Sequence, residues 1–218
     1  MTTPAIKICG LTEEDGVDAA VEAGVDMIGF VFFPPSPRAV TPERAAELLD
    51  AIPYPDEGGP LRVGLFVDPD DETVNAVMNA VRLDLIQLHG QETPERVEAL
   101  RLEFGIEVMK ALPVGSAEDL AAAQAYAGVA DRLLLDAKPP AGADRPGGNA
   151  QAFDWSLLEG WEAPLPWVLA GGLTPETVAE AIKQTKAPAV DVSSGVESAP
   201  GIKDPEHIRR FVAAVRGT

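Results

Sequence analysis

Two residues stand where their types could do chemistry. Cys9, the sole cysteine, closes the apolar run AIKIC and is followed at once by Gly10. A thiolate acts as a base or nucleophile when a nearby cation or helix N-terminus lowers its pKa. Lys7 lies two residues earlier, on the same side of an extended strand. A lone cysteine at a strand end is more often a small buried hydrophobe, so its position must decide. Asp136 ends a second apolar run, LLLD. A carboxyl there is costly unless solvated, paired or protonated. Burial favours the neutral acid, a proton donor near neutrality. The alternative role for Asp136 is a cap on the loop that follows.

Further candidates surround an anion. In AGGLTP, Gly171 and Gly172 let backbone approach a ligand closely, and the helix start beyond them favours negative charge. In DVSSGVE, Asp191, Ser193, Ser194 and Gly195 offer hydroxyls, a glycine and a short helical turn. Either segment alone reads equally as a tight turn. Arg38, in PPSPR, is the one cation of a proline-stiffened segment, and a guanidinium grips a carboxylate through two parallel hydrogen bonds. It is read equally as a surface arginine. Gln87 and His89, in LIQLHG, alternate outward from an apolar run and are candidate hydrogen-bonding groups. His207 is expected at the surface.

These residues need a scaffold, and the apolar runs supply one. Eight are found: AIKIC (5–9), MIGFVF (27–32), RVGLFV (62–67), LIQL (85–88), EVMKA (107–111), RLLLDA (132–137), WVLAG (167–171) and AVDVS (189–193). Nearly continuous apolar runs suit parallel strands buried on both faces. Helix signals fall between them. Thr41-Pro42-Glu43, Thr93-Pro94-Glu95, Thr174-Pro175-Glu176 and Asp204-Pro205-Glu206 repeat a capping oxygen, a proline and an acid. Thr12 is a candidate cap for a helix reaching about Ala23. Asp68-Pro69 and Ser116 open two more, and a short extra helix fits between the eighth strand and the last helix. Strand and helix alternating eight times predict one (β/α)8 TIM barrel over residues 1–218, an α/β fold. The alternative, an open doubly wound sheet, lacks a GxGxxG after its first strand. In a barrel, loops after strands line the catalytic face. Two of these are long, 33–41 and 138–153. The ends of strands one and six place Cys9 and Asp136 on that face.

Composition narrows the partners. Net charge is −18, from 17 basic and 35 acidic residues. That charge repels nucleic acid. Acids spread over helix faces also suit a salt-rich cytoplasm, where screening weakens self-repulsion, so a halophilic protein is expected. No apolar run reaches the roughly 18 residues of a membrane span. A secretory signal is not visible at MTTPAIKICG. One cysteine cannot form an internal disulfide, and with two histidines no zinc-type cluster is expected, so a reducing cytoplasm is the simplest compartment.

KICGLT, FFPPSPR, LIQLHG, LLLDAK, FDW, LAGGLTPE and DVSSGVES-PGIKD occur in this order. From Lys7 to about Asp204 the chain resembles phosphoribosylanthranilate isomerases, the (β/α)8 enzymes of tryptophan biosynthesis. The resemblance implies an Amadori rearrangement of N-(5-phosphoribosyl)anthranilate to 1-(2-carboxyphenylamino)-1-deoxyribulose 5-phosphate, with no metal or organic cofactor. It implies Asp136 as the acid that protonates the ring oxygen and Cys9 as the base that removes the C2 proton. Arg38 matches the residue for the anthranilate carboxylate. Gly171, Gly172, Ser193, Ser194 and Gly195 match the phosphate grip, and Gln87, His89 and Asp191 match positions lining the pocket. One departure falls after strand six, where the usual GGTG-like turn reads Gly147-Gly148-Asn149-Ala150. Association with the next pathway enzyme stays open. The related histidine-pathway isomerase typically uses two carboxylates, which Cys9 argues against. Indole-glycerol-phosphate synthase needs a lysine acid and an extra N-terminal segment. A binding protein without catalysis would not need both Cys9 and Asp136.

Overall fold

The computed structural model describes residues 3–138 and 153–218. Eight parallel strands close on themselves in chain order: β1 (Ala5–Cys9), β2 (Met27–Val31), β3 (Leu61–Phe66), β4 (Leu85–Leu88), β5 (Glu107–Val114), β6 (Arg132–Ala137), β7 (Trp167–Leu169) and β8 (Ala189–Val192). The closing seam pairs β1 with β8, Lys7 facing Asp191. The strands fall where the apolar runs predict: β1, β4 and β6 match at both ends, and the other five differ by one to three residues. β5 runs on to Val114 because its pairing with β6 continues through Pro113 and Asp136.

Alternate residues face opposite sides of each strand. Met27, Val63, Leu85, Met109, Leu134 and Val168 fill the barrel's interior. Ile6, Ile8, Ile28, Phe30, Ile86, Leu133 and Leu135 pack in the larger core that also takes in the helices. Each such side chain contributes about 1.5–3 kcal/mol on leaving water. Double burial is why the runs read as continuously apolar.

The helices are α1 (Glu14–Glu22), α2 (Pro42–Leu49), α3 (Asp71–Ala80), α4 (Pro94–Phe104), α5 (Ala117–Ala121), α6 (Val178–Thr185) and α7 (Pro205–Arg216). Thr41, Thr93, Ser116 and Asp204 cap as their sequences predict. Three expected caps act otherwise. Glu13 holds the cap position of α1, and the Thr12 hydroxyl instead donates to the Gly201 carbonyl at 2.7 Å. Asp70, not Asp68, caps α3; Asp68 sits at φ 45° and accepts from the Gln91 N–H. Thr174 forms a turn with Thr177 ahead of α6. Between β6 and β7 the described residues hold a 3-10 turn, Trp155–Leu158, in place of an α-helix. The long loop read at 138–153, with its Asn149-Ala150 departure, lies outside the described residues save Lys138 and Phe153.

The extra element after β8 is a 3-10 turn, Ser194–Val196, followed by an antiparallel pair, β9 (Glu197–Ala199) and β10 (Ile202–Lys203). Sequence patterning misses this pair because two-to-three-residue strands leave no periodicity. A repeated device holds the opposite rim. Asp26, Asp84 and Asp131 each precede an even-numbered strand and accept the backbone N–H of Ile6, Arg62 and Val108 on the strand before it, at 2.8–2.9 Å.

Candidate active site

The C-terminal ends of the strands bring Cys9 and Asp136 to one rim. Cys9, the last residue of β1, is 4% exposed and packs inside the mouth against Val31 and Leu65. One turn of the pleat below, Lys7 is completely buried, and its ammonium donates to Asp191 Oδ1 at 2.8 Å. A methyl group placed on Gly29 would lie 3.1 Å from Cys9 Sγ and 3.2 Å from Lys7 Nζ. Sulfur and nitrogen therefore share the space that this glycine leaves open. Burial, the largest influence, and Asp191 hold the Cys9 thiol above its usual value against the downward pull of Lys7 and Lys203. Lys7 loses by burial and gains more from Asp191 and Cys9, so it stays charged, above the usual lysine value.

Arg38 is not the free cation its loop suggests. It is 5% exposed, and its fork is closed on Glu197, Nε to Oε1 at 2.6 Å and Nη2 to Oε2 at 2.9 Å. Lys203 binds the same carboxylate at 2.8 Å and also donates to the Ser193 carbonyl at 3.0 Å and hydroxyl at 3.3 Å. The two cations hold Glu197 below the usual glutamate value against the opposing effect of burial. Burial, the largest influence, holds Lys203 below its usual value despite Glu197. Gly10, at φ 75°, is bare because a Cβ there would sit 2.5 Å from Arg38 Cδ.

Across the mouth stands a wall built without lysine or arginine. Gln87 of β4, fully buried, meets His89 Nδ1 through its Nε2 at 2.9 Å, and His89 Nε2 meets Asp136 Oδ2 at 3.1 Å. The other carboxylate oxygen, Oδ1, accepts the Ala137 N–H at 2.8 Å. Gln87 and His89 share the parity of interior Leu85, and Asp136 that of interior Leu134, so their side chains face the mouth and the His89–Asp136 contact passes over the end of β5.

Beside Asp136 lie the two glycine turns. Gly171 (φ 85°) and Gly172 (φ 62°) adopt left-handed backbone, and a Cβ on Gly171 would come 2.7 Å from the Ala137 nitrogen. Gly195 abuts the Leu173 carbonyl so closely that a Cβ would overlap it at 1.9 Å. The turns after β7 and β8 are thus packed into one concave edge, with Ser194 and Gly195 opening a 3-10 turn. Half-buried His207 lies on α7. No helix among the described residues is long and apolar enough to cross a membrane.

The family model for N-(5'-phosphoribosyl)anthranilate isomerase matches residues 6–214. The chain belongs to that family. An isomerase from Rhodospirillum rubrum is 70% identical over 216 residues, 99% of each chain. One from Paramagnetospirillum magneticum is 64% identical, with 97% of each chain covered. Among solved structures, the Thermotoga maritima isomerase superposes with a TM-score of 0.86 at 37% identity, covering 99% of this chain and all of that one. Another isomerase, solved in complex with reduced 1-(o-carboxyphenylamino)-1-deoxyribulose 5-phosphate, gives 0.83 at 36% identity, with 99% of this chain and all of that chain covered.

In this isomerase the predicted residues fall into two groups, Cys9, Arg38, Asp191 and Ser193 in one and Gln87, His89, Asp136 and Gly171 in the other, with His207 apart on α7. Asp191 is the partner of Lys7. Ser193 is engaged by Lys203. Sequence reasoning missed Glu197 and Lys203, although both lie in the quoted GVES and GIKD segments. It also missed the buried pair Lys110–Glu92, closed at 2.8 Å. The one available signal was a lysine beside or within an apolar strand, which needs a partner to be buried.

Proposed function

We propose that this mouth performs the Amadori rearrangement of N-(5-phosphoribosyl)anthranilate, with Asp136 as general acid and Cys9 as general base, in tryptophan biosynthesis. Asp136, as the acid, protonates the furanose oxygen, and the C1–O bond breaks to give a protonated Schiff base. The Cys9 thiolate takes the C2 proton, and that electron pair forms C1=C2 while neutralising the nitrogen. Returning the sulfur's proton to C1 and the O2 proton to Asp136 yields the ketone and restores both groups. Each positioned acid or base supplies roughly 10²–10⁴-fold.

The carrying observation is the placement of a thiol and a carboxyl on different strands of one rim, beside the paired glycine turns. The complex of the 36%-identical relative supports the same substrate class. Gly171, Gly172, Ser194 and Gly195 form the phosphate grip, with Ser193 braced behind them. Arg38 meets the anthranilate carboxylate through the guanidinium edge that Glu197 leaves, so recognition there uses one hydrogen-bonding edge instead of the full fork. Gln87 and His89 hold Asp136 in register. Residues 1–218 act as one barrel domain in a cytoplasm, without a metal or organic cofactor and without nucleic-acid partners. The charge of −18 supports a salt-rich cytoplasm. Contact with the next pathway enzyme fits this setting.

The deciding experiment follows the loss of substrate fluorescence with the purified chain in molar KCl. Turnover abolished in both Cys9→Ser and Asp136→Asn supports the reading, and wild-type-like turnover in either refutes that assignment. Equal stability in dilute buffer and molar KCl would refute the halophilic reading.

A further inference from the structure

The wall that carries Cys9 holds five other ionisable side chains, and their charges do not cancel. Lys7, Arg38 and Lys203 are cations; Asp191 and Glu197 are carboxylates. All are buried: Lys7 is 0% exposed, Arg38 5%, Lys203 6%, Asp191 8%, and the Glu197 side chain 6%. They are joined by contacts of 2.6–2.9 Å, Lys7 to Asp191 on one side and Arg38 and Lys203 to Glu197 on the other. Charges taken out of water are stable only when paired. Among the described residues, this cluster is one anion short.

We infer that the missing anion is the Cys9 thiolate, with Lys7 as its counter-ion and Asp191 as a second anion that shares Lys7 and competes with the sulfur for its charge. Lys7 and Asp191 are then positioning residues, acting on the substrate only through the sulfur. The inference rests on the proposed role of Cys9 as base, because the thiolate is the form that abstracts a proton.

Charged groups reach the sulfur from three elements. From β1 it faces Lys7, from β8 Asp191, and from β10 Lys203. Arg38 and Glu197 stand behind Lys203. From β2 and β3 the sulfur packs against Val31 and Leu65, which carry no charge. Gly29, the β2 residue paired with Cys9, is the position whose side chain would wedge between sulfur and ammonium. Burial works against the thiolate, so the cations determine how much of that cost is recovered.

A single cysteine makes the test direct. Thiolate absorbance in the ultraviolet is titrated in the intact chain at fixed salt, with Cys9→Ser as the blank. Lys7→Met should raise the midpoint by roughly one pH unit or more, a tenfold loss of thiolate. kcat should fall with it, on a limb moved to higher pH, while KM changes little. Asp191→Asn should move the midpoint the other way, since an anion facing the sulfur is removed. Gly29→Ala should move it in the sense of Lys7→Met, by less.

An unmoved midpoint in Lys7→Met, or shifts of the same sign in Lys7→Met and Asp191→Asn, would overturn the inference. If Lys7→Met does not fold, Lys7→Gln is titrated in its place: a raised midpoint supports the counter-ion, and an unmoved or lowered one rejects it. The titration needs no turnover, so it separates the two readings. Turnover retained in Cys9→Ser would remove the base assignment even if the midpoints move as expected.

Discussion

The two walls of the barrel mouth are built from different materials. The wall of β1, β8 and the β9–β10 pair is ionic: three cations, two carboxylates and a thiol, all buried. The wall of β4 and β6 is a hydrogen-bonded relay, Gln87 to His89 to Asp136, with no lysine or arginine among its members. The difference matches opposite tasks. A base buried in low dielectric needs cations to hold its anion. An acid must keep a proton, which a strong local cation would strip from it. Putting the two on one wall would drive proton exchange between them, whereas separating them across the lumen lets each meet a different part of one sugar.

The contrast can be broken at several points. The largest effect belongs to the reacting groups: Cys9→Ser and Asp136→Asn should each lower kcat by roughly 10²–10⁴-fold. A product analogue should still bind either variant within a few-fold by calorimetry, and a large loss of binding would mean that these groups grip and do not react.

Next comes the ionic wall. Glu197→Gln leaves Arg38 and Lys203 buried without a carboxylate, a kind of change that costs about 3–5 kcal/mol in denaturant melts. The sign with pH follows from the same pairing. The folded-state pKa of Glu197 is depressed, so its stabilisation is full above the ordinary glutamate range and is lost as pH falls through the depressed value. Wild-type stability should therefore drop on acidification more steeply than that of Glu197→Gln, and parallel acid curves would contradict the ionic description.

Gly10→Ala, strained at φ 75° and pressed on Arg38 Cδ, should cost about 1–3 kcal/mol. It should also raise KM, because the Arg38 side chain must shift. Smallest is the relay wall. His89→Asn removes one partner of Asp136 and should lower kcat by roughly tenfold, about 1.4 kcal/mol, with stability near wild type. An effect as large as that of Asp136→Asn would make His89 a proton carrier in its own right.

Two lysines show how far sequence reading could go. Lys7 in AIKIC and Lys110 in EVMKA share a local context, one ammonium among apolar strand residues. Lys7 faces into the mouth and meets Asp191. Lys110, of opposite parity, lies between barrel and helices, where it bonds the Gly90 carbonyl at 2.7 Å and Glu92 at 2.8 Å. Its pair braces the loop after β4, and Glu92 also takes the Asp68 and Gly90 N–H groups. Each pattern says that a partner is required, yet which face of the strand turns inward is fixed only when the sheet closes. Helix starts show the same boundary. Thr41, Thr93 and Asp204 cap as their tripeptides predict, whereas Thr12 gives its hydroxyl to Gly201, 189 residues away.

Sequence alone determined the alternation of strands and helices, the closed count of eight, and the assignment of Cys9 and Asp136 to strand ends. These follow from burial on both faces and from local capping chemistry, which act over a few residues. Tertiary structure alone decided the partners: Lys7 with Asp191, 184 residues apart, and Arg38 with Glu197, 159 apart. Ring closure lays β8 against β1 and folds the short β9–β10 pair over their ends. An ion pair made across that seam depends on separation in space, and no local pattern in the chain encodes it.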